Sequence, residues 1–345
     1  MQKRIHVLWI GIIGTLSLLS ACSSSQTSSQ AAEQGDVTLT IGAYTVTKEA
    51  VQEIIPLFQE YWKKEHGQEV VFKESYEASG SQTRAILQGL KADIAILALE
   101  GDIDQLTDKG LITHDWKDNP YNGMVTNSVV ALGVREDNPE EIEDWQDLTR
   151  EGVEVLLPNP KTSGGAQWDV NAIYGAGLKQ SEEQGNQEPE QARQLLADIY
   201  QNVRVLDKSG RASVATFEKG IGDVIVTYEN ELLSRNAAGK NYQVIVPNYT
   251  SKIENPAALI DKNVDEHGNR QAAEAFMDFL WSEEAQTIFA KRGFRPVHEE
   301  VAAEFTDTYI EPDGLFEIDY LGGWDQVRQT LYEDGAIWDQ IMAEK

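Results

Sequence analysis

The stretch Pro158-Asn159-Pro160-Lys161-Thr162-Ser163-Gly164-Gly165-Ala166-Gln167-Trp168 decides how the rest of the chain is read. An apolar strand pattern over 153–157 runs into it, and a helical pattern to about residue 178 runs out of it. Two prolines fix the approach and push the residue before each away from helical geometry. Ser163 then stands where a helix N-cap belongs, with two glycines in the first turn. Each glycine costs about 1 kcal/mol of helix stability relative to Ala. In return, nothing shields the backbone N–H groups from a ligand. A helix start carries unpaired N–H groups and a partial positive charge, so it suits an anion.

The pattern recurs. Strand patterns over 70–72 and 203–206 are followed by Ser79-Gly80 and by Ser209-Gly210-Arg211, and the first strand, 37–43, by Tyr44-Thr45-Val46-Thr47. Further strands are expected over 92–99, 128–134, 153–157, 223–228, 244–246 and 257–260. Helices are expected over 47–64, from Ala78 onward, to about residue 219, and as one long segment over 271–291. Alternating strands and helices imply an α/β fold with mainly parallel sheets. In such sheets ligands sit beyond the carboxyl ends of the strands. Four such ends facing one another would surround an anion with hydrogen-bond donors.

The first 21 residues read as an export signal. Lys3 and Arg4 precede an apolar run over 7–19 that is too short for a membrane span. The ending Leu19-Ser20-Ala21-Cys22 resembles the lipobox of bacterial lipoproteins, which implies cleavage before Cys22 and lipidation of its thiol. Cys22 is the only cysteine, so neither a disulfide framework nor a catalytic thiol is expected. Residues 22–36, rich in Ser, Gln and Ala, read as a flexible tether. The chain carries a net charge of −28, and the signal holds two basic side chains and no acidic one. So acidic a protein is a poor partner for nucleic acid. An anion site on it must be local, made of oriented dipoles.

Enzyme chemistry finds little support. After the signal there are four histidines, His66, His114, His267 and His298, at no metal-ligand spacing. Lys161-Thr162 lacks the glycines of a phosphate-binding loop, and no G-x-S-x-G elbow occurs. The acidic run Glu140, Glu141, Glu143, Asp144 reads as a solvated face. Phe276, Phe279, Leu280 and Trp281 read as core, and Arg84 and Arg211 as salt-bridge residues.

Ala92-Asp93-Ile94-Ala95-Ile96-Leu97-Ala98-Leu99, Pro158 to Trp168, Gly220-Ile221-Gly222-Asp223-Val224-Ile225, Glu229-Asn230-Glu231 and Phe294-Arg295-Pro296 resemble the sulfate/thiosulfate-binding proteins of bacterial ABC importers. The resemblance runs in order from about residue 37 to 300, and Asn159 to Ala166 is its most specific motif. It implies a two-lobed periplasmic-binding-protein fold of type II, with the ligand cleft between the lobes. One lobe is expected from residues 37–125 plus 251–345, the other from 126–250. It implies a monomeric, extracytoplasmic, membrane-anchored receptor that hands an oxyanion to an ABC permease, with no cofactor, no metal and no catalysis. The ligand groups it implies are the Ser79 and Ser163 hydroxyls and the N–H groups of Gly164, Gly165, Gly210 and Thr45. Tyr228 stands where the family's best-known members carry a Trp donor. Thr45 replaces the common Asp, and Glu77-Ala78-Ser79-Gly80 replaces Gly-Gly-Ser-Gly. A Glu77 carboxylate turned into the cleft would favour hydrogen phosphate over sulfate. The alternatives are a phosphate or molybdate receptor of the same fold, or an extracytoplasmic ester hydrolase.

Overall fold

The computed structural model describes residues 35–345, apart from 186, 187 and 310. The export signal, Cys22 and all but the last two residues of the tether lie outside the described residues. Among the described residues there are ten strands: β1 Val37–Tyr44, β2 Val70–Glu77, β3 Ile94–Ile96, β4 Met124–Val134, β5 Val155–Pro158, β6 Val203–Asp207, β7 Val224–Tyr228, β8 Gln243–Ile245, β9 Tyr249–Leu259 and β10 Gly314–Phe316. The helices that position the site are α1 Lys48–His66, α2 Ser79–Leu87, α3 Glu100–Asp108, α4 Gly164–Glu183, α5 Pro189–Gln201, α6 Gly210–Glu218 and α7 Glu229–Ala237. They are followed by α8 Asp261–His267, α9 Arg270–Leu280 and α10 Glu283–Lys291.

The strand order is β2-β1-β3-β9-β4-β7-β5-β6, with β8 added to β4 and β10 to β9. Within β2-β1-β3 and within β7-β5-β6 the strands run parallel, as the alternating pattern implies. Every ladder joining these two groups is antiparallel and passes through β4 or β9. Each of these two strands is eleven residues long and serves both groups. β9 pairs with β4 through Lys252 to Pro256 and with β3 through Ala257 to Leu259. β4 meets β7 through Val130 to Val134.

Packing follows apolar periodicity. In α1, Val51, Ile54, Ile55, Phe58 and Trp62 share one buried face. Phe58 meets Phe276 of α9 edge-on at 5.0 Å. Burying each such side chain contributes roughly 1.5–3 kcal/mol. β3 is buried on both sides, as its unbroken apolar run requires. The run continues beyond the ladder, however: only Ile94–Ile96 pair, while Leu97 and Ala98 are buried in the connection. The segment expected as one helix over 271–291 is two, because the Ser282 hydroxyl accepts from the Ala285 N–H and starts α10 afresh.

Residues 314–345, read as part of the first lobe, pack on α4 and α5. Trp324 sits edge-on to Trp168 at 4.8 Å, and Trp338 packs on Tyr200 at 5.1 Å. Lys161 pairs with Asp339 at 2.8 Å, and the Tyr332 hydroxyl donates to Asn171 Oδ1 at 2.7 Å.

Candidate anion-binding site

The carboxyl ends of β1, β2, β3, β5, β6 and β7 meet at one small cavity. Its wall includes Tyr44, Thr45, Val46, Ala78, Ser79, Ala98, Ser163, Gly165, Asp169, Ser209, Gly210, Thr227, Tyr228 and Glu231. About 20 Å³ of it is open to the centre of a water-sized sphere. A sphere of that volume widened by one water radius reaches roughly 3 Å, enough for a single tetrahedral oxyanion. Among the described residues on this wall there is no Lys, Arg or His.

Three helices begin at the cavity. Ser163 and Ser209 are the N-caps of α4 and α6. Each hydroxyl oxygen accepts from the third residue of its helix, Ala166 N–H at 3.3 Å and Ala212 N–H at 3.2 Å. Accepting that bond leaves the hydroxyl proton to donate elsewhere, and the first N–H groups of each helix, at Gly164, Gly165, Gly210 and Arg211, have no intrahelical acceptor. α2 starts differently. Its cap position is Ala78, which has no side-chain oxygen, and Ser79 is the first helical residue. The Ser79 hydroxyl donates to Asp102 Oδ2 at 2.5 Å and accepts from the Ala98 N–H at 2.9 Å. The Ser79 hydroxyl, expected from sequence as a ligand group, is thus engaged by Asp102 and Ala98 in this structure. Burial pushes Asp102 up to about 6, against the bonds from Ser79 and Thr83 and the charge of Arg84.

Of the residues singled out in the sequence, Thr45, Ser79, Ser163, Gly165, Gly210 and Tyr228 all line the cavity. Gly164 does not. A Cβ there would lie 3.0 Å from Leu99 Cγ and 3.2 Å from both Ala98 Cβ and Ser79 Cβ. Its lack of a side chain lets α4 press against the ends of β3 and α2. Glu77 ends β2 beside Tyr44, exposed and off the cavity wall. The four histidines are dispersed: His114 pairs with Asp261 and His267 with Asp93, each at 2.7 Å, His298 with Glu300 at 3.2 Å, and His66 stacks on Trp62.

The wall is braced from behind. Asn255 of β9 accepts from the Tyr44 hydroxyl at 2.9 Å and from Thr126 at 3.1 Å, and donates to the Ala98 carbonyl. That carbonyl also takes the Trp168 indole N–H of α4 at 2.8 Å. Arg211 of α6 makes a two-pronged pair with Glu49 of α1, at 2.6 and 3.0 Å, and reaches Glu231 of α7 at 3.2 Å. Burial pushes Glu49 up, but Arg211 outweighs it and holds that carboxyl below its ordinary value. Arg84 is exposed and bonds only locally, to Ser81 at 2.9 Å.

Sequence reasoning gave no site role to Asp102, Asp169 or Glu231, although Glu231 lies in one of the stretches that carry the resemblance. Glu231 is buried, and desolvation raises it against the charges of Arg211 and Arg235. Asp169 was findable: four residues after Gly165, it falls on the same face of α4.

Comparison with known proteins agrees with this geometry. Residues 39–295 match the model of the bacterial extracellular solute-binding protein family. The chain is 42% identical over 329 residues to a sulfate-binding protein of Synechococcus elongatus, covering 95% of this chain and 93% of that one. It belongs to the sulfate/thiosulfate-binding family of bacterial solute-binding proteins. A thiosulfate-binding protein of Pseudomonas aeruginosa is 36% identical over 304 residues, covering 87% of this chain and 90% of the relative. The solved sulfate-binding protein SubI of Mycobacterium tuberculosis superposes with a TM-score of 0.78 at 36% identity, over 86% of this chain and all of that one. The fold is thus the mixed α/β periplasmic-binding-protein fold, and the family binds solutes rather than transforming them.

Proposed function

We propose that this protein captures sulfate, or thiosulfate, outside the cytoplasmic membrane and presents it to an ABC permease. The observation that carries this reading is the convergence of the α2, α4 and α6 starts on a cation-free cavity that fits one tetrahedral oxyanion. The anion would take hydrogen bonds from the N–H groups of Ser79, Gly165, Gly210 and Thr45 and from the hydroxyls of Ser163 and Tyr228. Gly164, packed between the walls, would contribute its N–H from the first turn of α4. A fully ionised oxyanion only accepts, so each of these donors would face one of its lone pairs.

Release needs the walls to part. The lobes we propose are residues 37–125 with 251–313, and 126–250 with 314–345, bending on β4 and β9, which among the described residues join the two strand groups. The Arg211–Glu49 pair then crosses the cleft and is made only on closure. Attachment through a lipid on Cys22 completes the reading; Cys22→Ser should release the protein from the membrane with its anion affinity intact.

Hydrogen phosphate is the competing ligand, because Asp169 and Glu231 lie on the wall and an ionised carboxylate there would accept its proton. Titration calorimetry with sulfate, thiosulfate, phosphate and molybdate separates these readings. Sulfate or thiosulfate should bind at about micromolar Kd or tighter, and tighter than phosphate. Phosphate or molybdate bound most tightly would refute the proposal.

A further inference from the structure

Asp169 follows Gly165 by one turn of α4, so its carboxyl points to the same cavity as the helix start. It is only 1% exposed, and its Oδ1 has no hydrogen-bond partner. The Tyr228 hydroxyl, at the end of β7, is buried on the same wall.

The surroundings give Asp169 no counter-charge. Glu231 of α7 is held by Arg211 and Arg235. Asp102 of α3 is bonded by Ser79. Tyr44 of β1 is bonded to Asn255, and Tyr332 to Asn171 and the Gln167 carbonyl. Burial alone pushes the Asp169 carboxyl well above its ordinary range. An ionised carboxylate on this wall would repel a dianion, with no Lys, Arg or His among the wall residues to offset it. A protonated one is a further donor, with its O–H directed at the ligand.

We propose that Asp169 takes one proton from solvent when the anion binds, and stands in the wall as a neutral carboxylic acid that donates a hydrogen bond to it. Capture is then coupled to proton uptake, and affinity is a function of external pH. This rests on the oxyanion reading above. The sign follows from linkage: binding is full below the free-state pKa of Asp169 and weakens as pH rises above it, by up to tenfold per unit.

The test is calorimetry with sulfate from pH 5 to 9, in buffers of different ionisation enthalpy so that bound protons are counted. The wild type should take up close to one proton at the alkaline end and lose affinity with rising pH. Asp169→Asn places an amide N–H where the acid O–H stood, so it should bind sulfate with a flat profile and no uptake. Asp102→Asn should keep the slope, which excludes Asp102 as its source. The proton count in the wild type stands even if a variant folds poorly. Sulfate binding without proton uptake, or a slope that survives in Asp169→Asn, would overturn the role of Asp169 alone. So would tighter binding of phosphate than sulfate at pH 8 that is lost in Asp169→Asn, since that marks a carboxylate acceptor. No sulfate binding at any pH would overturn both readings.

Discussion

The two walls of the cavity are built from the same kind of unit, a strand leading into a serine and glycine helix start, yet they use their serines in different ways. On the α4 and α6 wall, Ser163 and Ser209 occupy the cap position and accept from their own helices. On the α2 wall the serine stands one residue later, and its proton goes to the buried Asp102. A shift of one residue thus separates a hydroxyl that caps its own helix from one that serves a buried carboxyl. The α4 side also carries the close approach, with Gly164 packed against the opposite wall. The α4 side should therefore be far more sensitive to substitution than the α2 side.

The largest effect should come from Gly164→Val. Its Cβ would meet Leu99, Ala98 and Ser79 at 3.0–3.2 Å, and the added methyls would wedge the walls apart. Sulfate affinity should fall more than about a hundredfold, since an overpacked contact costs about 1–3 kcal/mol and the donors no longer converge. An unchanged Kd would show that the walls do not meet at Gly164 in the bound protein.

Ser163→Ala comes next. It removes a hydrogen bond to a charged ligand, worth about 1.5–3 kcal/mol, so affinity should fall roughly ten- to a hundredfold, mostly as faster release in stopped-flow measurements. Loss of the Ala166 cap would also lower the melting temperature, by about 1 kcal/mol of stability.

Ser79→Ala reverses that balance. Its hydroxyl serves Asp102, so the substitution leaves a buried carboxyl short of one donor and should cost about 1–3 kcal/mol in denaturant unfolding. Sulfate affinity should change less than about fivefold, or about 1 kcal/mol. Should Ser79→Ala weaken binding as much as Ser163→Ala, the hydroxyl turns to the anion and the contrast between the walls fails.

Glu77→Gln should do least. Its side chain is exposed and off the cavity, so the sulfate-to-phosphate preference should stay within about twofold, a few tenths of a kcal/mol. A reversed preference would make Glu77 the group that reads the ligand's proton.

Part of the candidate site was legible from local signals, and the rest from the family resemblance. A serine before glycines after an apolar run marks a helix start whatever the tertiary context, and six of the seven candidate residues line the cavity. What was not legible depends on distant partners. Nothing near Ser79 in the chain announces Asp102, 23 residues on. The first part of β9 lies outside the strand expected over 257–260, because Thr250, Ser251, Lys252, Glu254 and Asn255 are polar and carry no apolar strand pattern. Thr250 is buried and bonds the Val130 carbonyl, and Asn255 ties three strands together. Conversely, 92–99 reads as a long strand because apolarity reports burial and not pairing. The path of the last 32 residues turns on aromatic contacts with α4 and α5 that no periodicity encodes.

The central claim is that one anion is held among the starts of α2, α4 and α6 by donors alone. A crystal grown with selenate, a heavier analogue of sulfate, tests it directly through the anomalous signal of selenium. The account predicts a single strong peak inside the cavity, with the Ser163 hydroxyl and the N–H groups of Ser79, Gly165 and Gly210 within hydrogen-bonding distance of the selenate oxygens. An empty cavity, with the peak beside basic side chains such as Lys252 and Arg295, would contradict it.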